Sequence, residues 1–163
     1  MAKRLRGFDV RLIACDPYIR LSDRERAEHG VALVDKPTLL READVVSCHV
    51  PLTDETRHLI GRRELEQMKP SAVLINVSRG GVVDQVAVAE ALRAGRIMGG
   101  GFDVYSPEPP GADLPLRGLD NVVLTPHVAA GTLDAFRTKM RFSLANIARV
   151  QNGEEPLERV GGT

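Results

Sequence analysis

Apolar and polar positions change rhythm along this chain in a regular way. Six short runs rich in β-branched residues stand out: VRLIAC at 10–15, VALV at 31–34, DVVSCHV at 44–50, AVLINV at 72–77, MGGGFDV at 98–104 and NVVLT at 121–125. Their near-continuous apolarity predicts strands covered on both faces, bounded by turn residues. Between them the period lengthens to that of a helix. Ser22 suits the N-cap of DRERAEHG, which Gly30 stops, and 36–43 reads as a second short helix. RRELEQM reads as a third, ended by Pro70. In QVAVAEALRAG, Val86, Ala87, Ala89, Ala91 and Leu92 fall at helical spacing, with Gly95 as the stop. A longer segment from Thr132 sets Leu133, Phe136, Met140, Leu144, Ile147 and Val150 three and four apart, which predicts a helix burying one stripe. Residues 2–6 read as a last helical turn with Gly7 in the left-handed capping position.

Strands alternating with helices predict the α/β class, with a parallel sheet covered by helices. At 163 residues the chain fits one domain. Its 22 basic and 22 acidic residues cancel without a run of like charge, which argues against nucleic acid as a partner. No stretch is apolar for the roughly 20 residues a bilayer span needs, so a membrane is not expected and a cytoplasmic protein is. Cys15 and Cys48 lie inside apolar runs without metal-ligand spacing and read as buried, reduced thiols.

Four places could carry chemistry. Asp16 ends the first strand, where an acidic residue can accept hydrogen bonds from ribose hydroxyls; a plain Asp-Pro turn is the alternative. INVSRGG puts Arg79 in a glycine turn at the carboxyl edge of the sheet, where a guanidinium can fork onto a carboxylate. GGGFDVYSPEPP puts Asp103 and Glu108 after a glycine strand that suggests close approach of a backbone or ligand. LTPHVAAGT places His127 at the end of the last strand, able to exchange a proton near neutral pH if a carboxylate supports it. His29 and His58 read as structural or exposed. An arginine, a carboxylate and a histidine at successive strand ends say more together than any one alone.

The ordered set DPY, HVPLTDET, LINVSRGGVVD, GGGFDVYSPEPP and NVVLTPHVAAGT resembles the coenzyme domain of the D-isomer-specific 2-hydroxyacid dehydrogenases, over essentially the whole chain. The resemblance implies Arg79, Glu108 and His127 as catalytic residues, in hydride transfer between NAD(H) and C2 of a small 2-hydroxy or 2-oxo acid. It implies NAD as cofactor, with Asp16 at the adenosine ribose and Val50, Pro51 and Thr56 beside the adenosine half. Val77, Ser78, Arg79, Asp103, His127, Ala129 and Ala130 would surround the nicotinamide end. It also implies a possible homodimer through this domain. The family pattern places a substrate-binding domain, then a first strand and the loop GxGxxG, ahead of the matched part. The sequence in hand holds none of these. The expectation is therefore an N-terminally truncated, doubly wound Rossmann-type domain over 1–152, with 153–163 a tail leading back toward the substrate domain. The first strand would lie between the strands at 10–15 and 44–50, and without the glycine loop the chain alone should bind NAD weakly. The alternative is a non-catalytic NAD-binding or interaction module, or an inactive fragment.

Overall fold

Side-by-side parallel strands carry the architecture. In the computed structural model, which describes residues 1–158, β1 (Leu12–Ala14) pairs with β2 (Val31–Leu33). A second sheet runs β3 (Val45–Cys48), β4 (Val73–Asn76), β5 (Gly99–Phe102), β6 (Val122–Leu124) in that order. The six runs of the sequence are all strands, each one to three residues shorter at its ends than the pattern suggests. They form two sheets rather than one: among the described residues, β1 pairs only with β2, and β3 only with β4. The unpaired sides of β1 and β3 are where the family resemblance sets a further strand.

Helices α1 (Ala2–Leu5), α2 (Asp23–His29), α3 (Lys36–Glu42), α4 (Arg62–Leu65), α5 (Gln85–Arg93) and α6 (Leu133–Gln151) fill the intervals. Their starts follow local hydrogen bonding. Ser22 and Glu25 cap α2 reciprocally, the Glu25 N–H donating to Ser22 Oγ (3.3 Å) and the Ser22 N–H to Glu25 Oε2 (2.9 Å). Asp35, Asp84 and Thr132 accept from the first-turn N–H groups of α3, α5 and α6. Among the described side chains, every buried apolar residue lies between Leu40 and Leu116, with Leu74, Val82, Val88, Ile97, Phe102 and Leu116 at the centre. The chain divides into two compact units, Met1–Pro126 and a second beginning at His127.

Several expectations give way to the structure. Gly7 lies in a 3₁₀ turn (Arg6–Phe8), and the left-handed residue that ends it is Asp9, whose φ is 52°. The third helix closes after Leu65, although Leu65 and Met68 are both buried beyond and at its end. On α5 Val86 is exposed and Val88 takes the core position. Cys15 is exposed, since β1 has a neighbour on one side only; Cys48 is buried, and both are free thiols. The stripe on α6 is present at the expected spacing, yet no side chain of that helix is buried. Its periodicity marks a face without supplying the surface that covers it. The tail folds back on α6 as far as it is described: Asn146 exchanges two hydrogen bonds with the backbone of Leu157 (2.8 and 3.1 Å), and Arg149 pairs with Glu154 (2.9 Å). The rest of the tail expected at 153–163, from residue 159 on, lies outside the described residues.

Candidate active site

Three loops at the carboxyl ends of β3, β4 and β5 build the polar centre of the first unit. After β4 the chain turns sharply through Val77, Ser78 and Arg79. The fully buried Asn76 side chain stitches that turn: its Oδ1 accepts from the Ser78 N–H (3.1 Å) and hydroxyl (3.0 Å), and its Nδ2 donates to the Arg79 carbonyl (2.9 Å). Arg79 is exposed, with Nη1 donating to the Ser78 carbonyl at 2.7 Å.

Gly80 then lets two loops touch. A Cβ at this position would lie 1.9 Å from the carbonyl carbon and oxygen of Tyr105, so only glycine allows the turn after β4 to lie against the loop after β5. Gln85 holds the same junction from α5, donating from Nε2 to the Ser106 carbonyl at 2.7 Å. On the far side of it the Tyr105 N–H donates to Glu108 Oε1 at 3.0 Å. The turn carrying Arg79 and the loop carrying Glu108 thus form one packed edge.

β5 and β6 are tied at the same end. The Tyr105 hydroxyl reaches the carbonyls of Thr125 (2.7 Å) and Phe102 (3.0 Å), and Thr125 Oγ1 donates to Asp103 Oδ1 (2.5 Å). Asp103 is buried, and burial pushes the Tyr105 phenol above its ordinary pKa, keeping it a donor. Of the β5 glycines, Gly99 faces a backbone closely, a Cβ there lying 3.1 Å from the Asn121 carbonyl, whereas Gly100 makes room for the side-chain ring of Phe102 rather than for a backbone or ligand.

Between the ends of β3 and β4 opens a cleft of about 530 Å³ lined by His49, Val50, Pro51, Leu52, Val77, Ser78 and Arg79. Thr56 shapes it indirectly, its hydroxyl donating to the Pro51 carbonyl at 2.6 Å. Asp16, just past β1, accepts on Oδ1 from the N–H groups of Tyr18 (2.9 Å) and Ile19 (3.2 Å). The Tyr18 hydroxyl donates to Glu55 Oε2 (2.6 Å), which raises the phenol pKa and links the loops after β1 and β3. His127, Ala129 and Ala130 open the second unit, and His127 adopts a left-handed backbone with φ 55°.

Of the residues expected at the site, the structure gathers Val50, Pro51, Val77, Ser78 and Arg79 around one cleft and puts Asp103 and Glu108 on the adjoining strand end. It adds residues that sequence reasoning missed: His49 in the cleft wall, and Asn76, Gln85, Tyr105 and Thr125 as organisers. An amide near the end of the apolar run AVLINV was the available signal for Asn76. Gln85, Tyr105 and Thr125 each bond to a residue some 20 positions away, which no local pattern announces.

Residues 1–129 match the family described as D-isomer specific 2-hydroxyacid dehydrogenase, NAD binding domain. The chain is 47% identical over 136 residues to D-3-phosphoglycerate dehydrogenase of Archaeoglobus fulgidus, covering 83% of this chain and 25% of that protein. It is 46% identical over 157 residues to glyoxylate reductase of Korarchaeum cryptofilum, covering 96% and 46%. Among solved structures, apo D-lactate dehydrogenase from Escherichia coli superposes with a TM-score of 0.86 at 37% identity, over 99% of this chain and 50% of that one. The NAD-complexed D-isomer specific 2-hydroxyacid dehydrogenase of Lactobacillus delbrueckii ssp. bulgaricus gives 0.86 at 31%, over 98% and 52%. The chain spans about half of the solved relatives, and half or less of the curated ones. With its parallel strands, its edge of Arg79 and Glu108 and these likenesses, the chain belongs to the NAD-binding domain family of the D-isomer specific 2-hydroxyacid dehydrogenases.

Proposed function

We propose that this chain supplies the NAD-binding part of an oxidoreductase acting between NAD(H) and C2 of a small 2-hydroxy or 2-oxo acid. The observation that carries the reading is the contact of Gly80 with Tyr105, which sets the turn of Arg79 against the loop of Glu108. The residues present fit a dinucleotide: an open cleft at the strand ends, apolar at Val50 and Pro51 and polar at Ser78 and Arg79, with the Asp16 carboxylate just past β1. When bound, NAD supplies the hydride acceptor or donor.

The chain's own side chains do the rest. By family likeness Asp16 would hold the adenosine ribose, with Val50, Pro51 and Thr56 on that half, and Val77, Ser78 and Asp103 would serve the nicotinamide end, as Ala129 and Ala130 of the second unit do in the same reading. Thr125 fixes one oxygen of Asp103. Arg79 binds the carboxylate of the acid through paired N–H donors. His127 gives a proton to the C2 oxygen in reduction and takes it back in oxidation, and Glu108 is the further catalytic residue that the family likeness supports. A dinucleotide-binding domain over 1–152, a homodimer through it and a cytoplasmic setting complete the proposal; the two free thiols suit a reducing compartment.

The test is loss of NADH absorbance on adding glyoxylate, hydroxypyruvate or another 2-oxo acid. Replacing His127 by Asn should lower turnover by roughly 10²–10⁴-fold, the range of a positioned general acid. An unchanged rate in that variant, or no NADH consumption with any 2-oxo acid by the protein carrying this domain, overturns the reading.

A further inference from the structure

We infer that Asn76 is a positioning residue for Arg79, setting through its carboxamide the backbone from which the guanidinium is presented. The inference rests on the proposed dehydrogenase reading only for what Arg79 binds. Asn76 is 0% exposed, at the end of the strand that lies between β3 and β5. Its backbone is registered opposite Cys48 on one side and Phe102 on the other, and its carbonyl accepts from the Asp103 N–H at 3.1 Å. The platform beneath the side chain is therefore fixed by the sheet.

A buried carboxamide must place its hydrogen bonds, and its choice of partners is informative. A residue serving the core would bond to neighbouring strands. All the bonds recorded from this side chain instead run forward into the turn, two to Ser78 and one to Arg79. The arrangement needs both chemistries of an amide: an acceptor for the Ser78 N–H and hydroxyl, and a donor for the Arg79 carbonyl. Aspartate would supply only the first and would add a buried charge; leucine would supply neither and would leave those groups unpaired. Beyond Arg79 the chain is held again, where Gly80 is pressed on Tyr105. Arg79 is thus an exposed side chain on a backbone clamped from both ends, its conformation extended at φ −144°, ψ 142°. Such clamping lets a forked donor meet a carboxylate without first losing conformational freedom.

The test compares Asn76→Asp and Asn76→Leu with the unsubstituted sequence, each in the protein that carries this domain. The Arg79 Nε–H resonance, assigned by its loss in Arg79→Lys, reports the ordering of the guanidinium. It should move to the position of a free arginine in Asn76→Leu and part of the way in Asn76→Asp. With NADH saturating, KM for the 2-oxo acid should rise about tenfold or more, a change several times larger than that in KM for NADH, which the Ser78 turn also touches, while kcat changes less than about threefold. A role confined to stability would lower the thermal midpoint and leave the resonance and this split unmoved, which overturns the inference. If Asn76→Leu does not fold, the near-isosteric Asn76→Asp decides alone. Absence of turnover in the unsubstituted protein that carries this domain speaks against the dehydrogenase reading, while the Arg79 resonance still decides the role of Asn76.

Discussion

β1 and β4 begin as similar apolar strands and end in different surroundings. In β4 exposure alternates, with Leu74 and Asn76 both at 0%, whereas in β1 Leu12, Ile13 and Ala14 are all partly buried and none fully so. β4 has a strand on each side; β1 has one, and the core stops short of it. Strand chemistry specifies that a segment pairs, while the number of neighbouring layers decides how much that pairing is worth.

The largest test of this contrast is truncation in the two strands. Leu74→Ala should cost about 2–5 kcal/mol in urea unfolding, as expected for a fully buried leucine. Ile13→Ala should cost less, about 1–2 kcal/mol, because that side chain is only partly buried. Equal losses would break the comparison.

The thiols at the ends of β1 and β3 sharpen it chemically. Burial pushes the Cys48 thiol up to about 11, and Cys15 is exposed. A disulfide reagent at neutral pH should therefore label one thiol at once, at Cys15, and reach Cys48 only as the chain unfolds. Two fast thiols would show that β3 opens as readily as β1.

A smaller effect concerns acid. Burial, helped by the charge of the amino terminus, lowers the pKa of His49 below its usual 6.5. The folded state then binds fewer protons there than the unfolded one, so this contribution is present above about 6.5 and is lost as the pH falls below it. His49→Asn should flatten the decline in urea midpoint between about pH 7 and pH 5. The smallest effect is expected on α6, where Leu144→Gln should change the stability of this chain by less than about 0.5 kcal/mol. A larger loss would mean that the stripe is covered in solution.

What the sequence reveals divides along the same line. Strands, helix starts at Ser22 and Thr132, and the positions of Arg79, Glu108 and His127 are local or motif-borne, and the structure places the first two kinds as read. Burial is not local: the periodicity of α6 is clear and its face is bare, and on α5 Val86 is exposed while Val88 is buried. The site divides similarly. Groups offered to a ligand announce themselves by residue type, whereas Asn76, Tyr105 and Thr125 look like ordinary strand-end residues until the chain closes on itself.

The contact at Gly80 has a consequence for sequence drift. Every single-nucleotide change that replaces a glycine by another residue brings in a Cβ, and at this position that atom would fall 1.9 Å from the Tyr105 carbonyl. Position 80 therefore has no tolerable neighbour in coding space unless the loop after β5 moves first. Change in this part of the protein has to begin in the Glu108 loop and reach the arginine turn second.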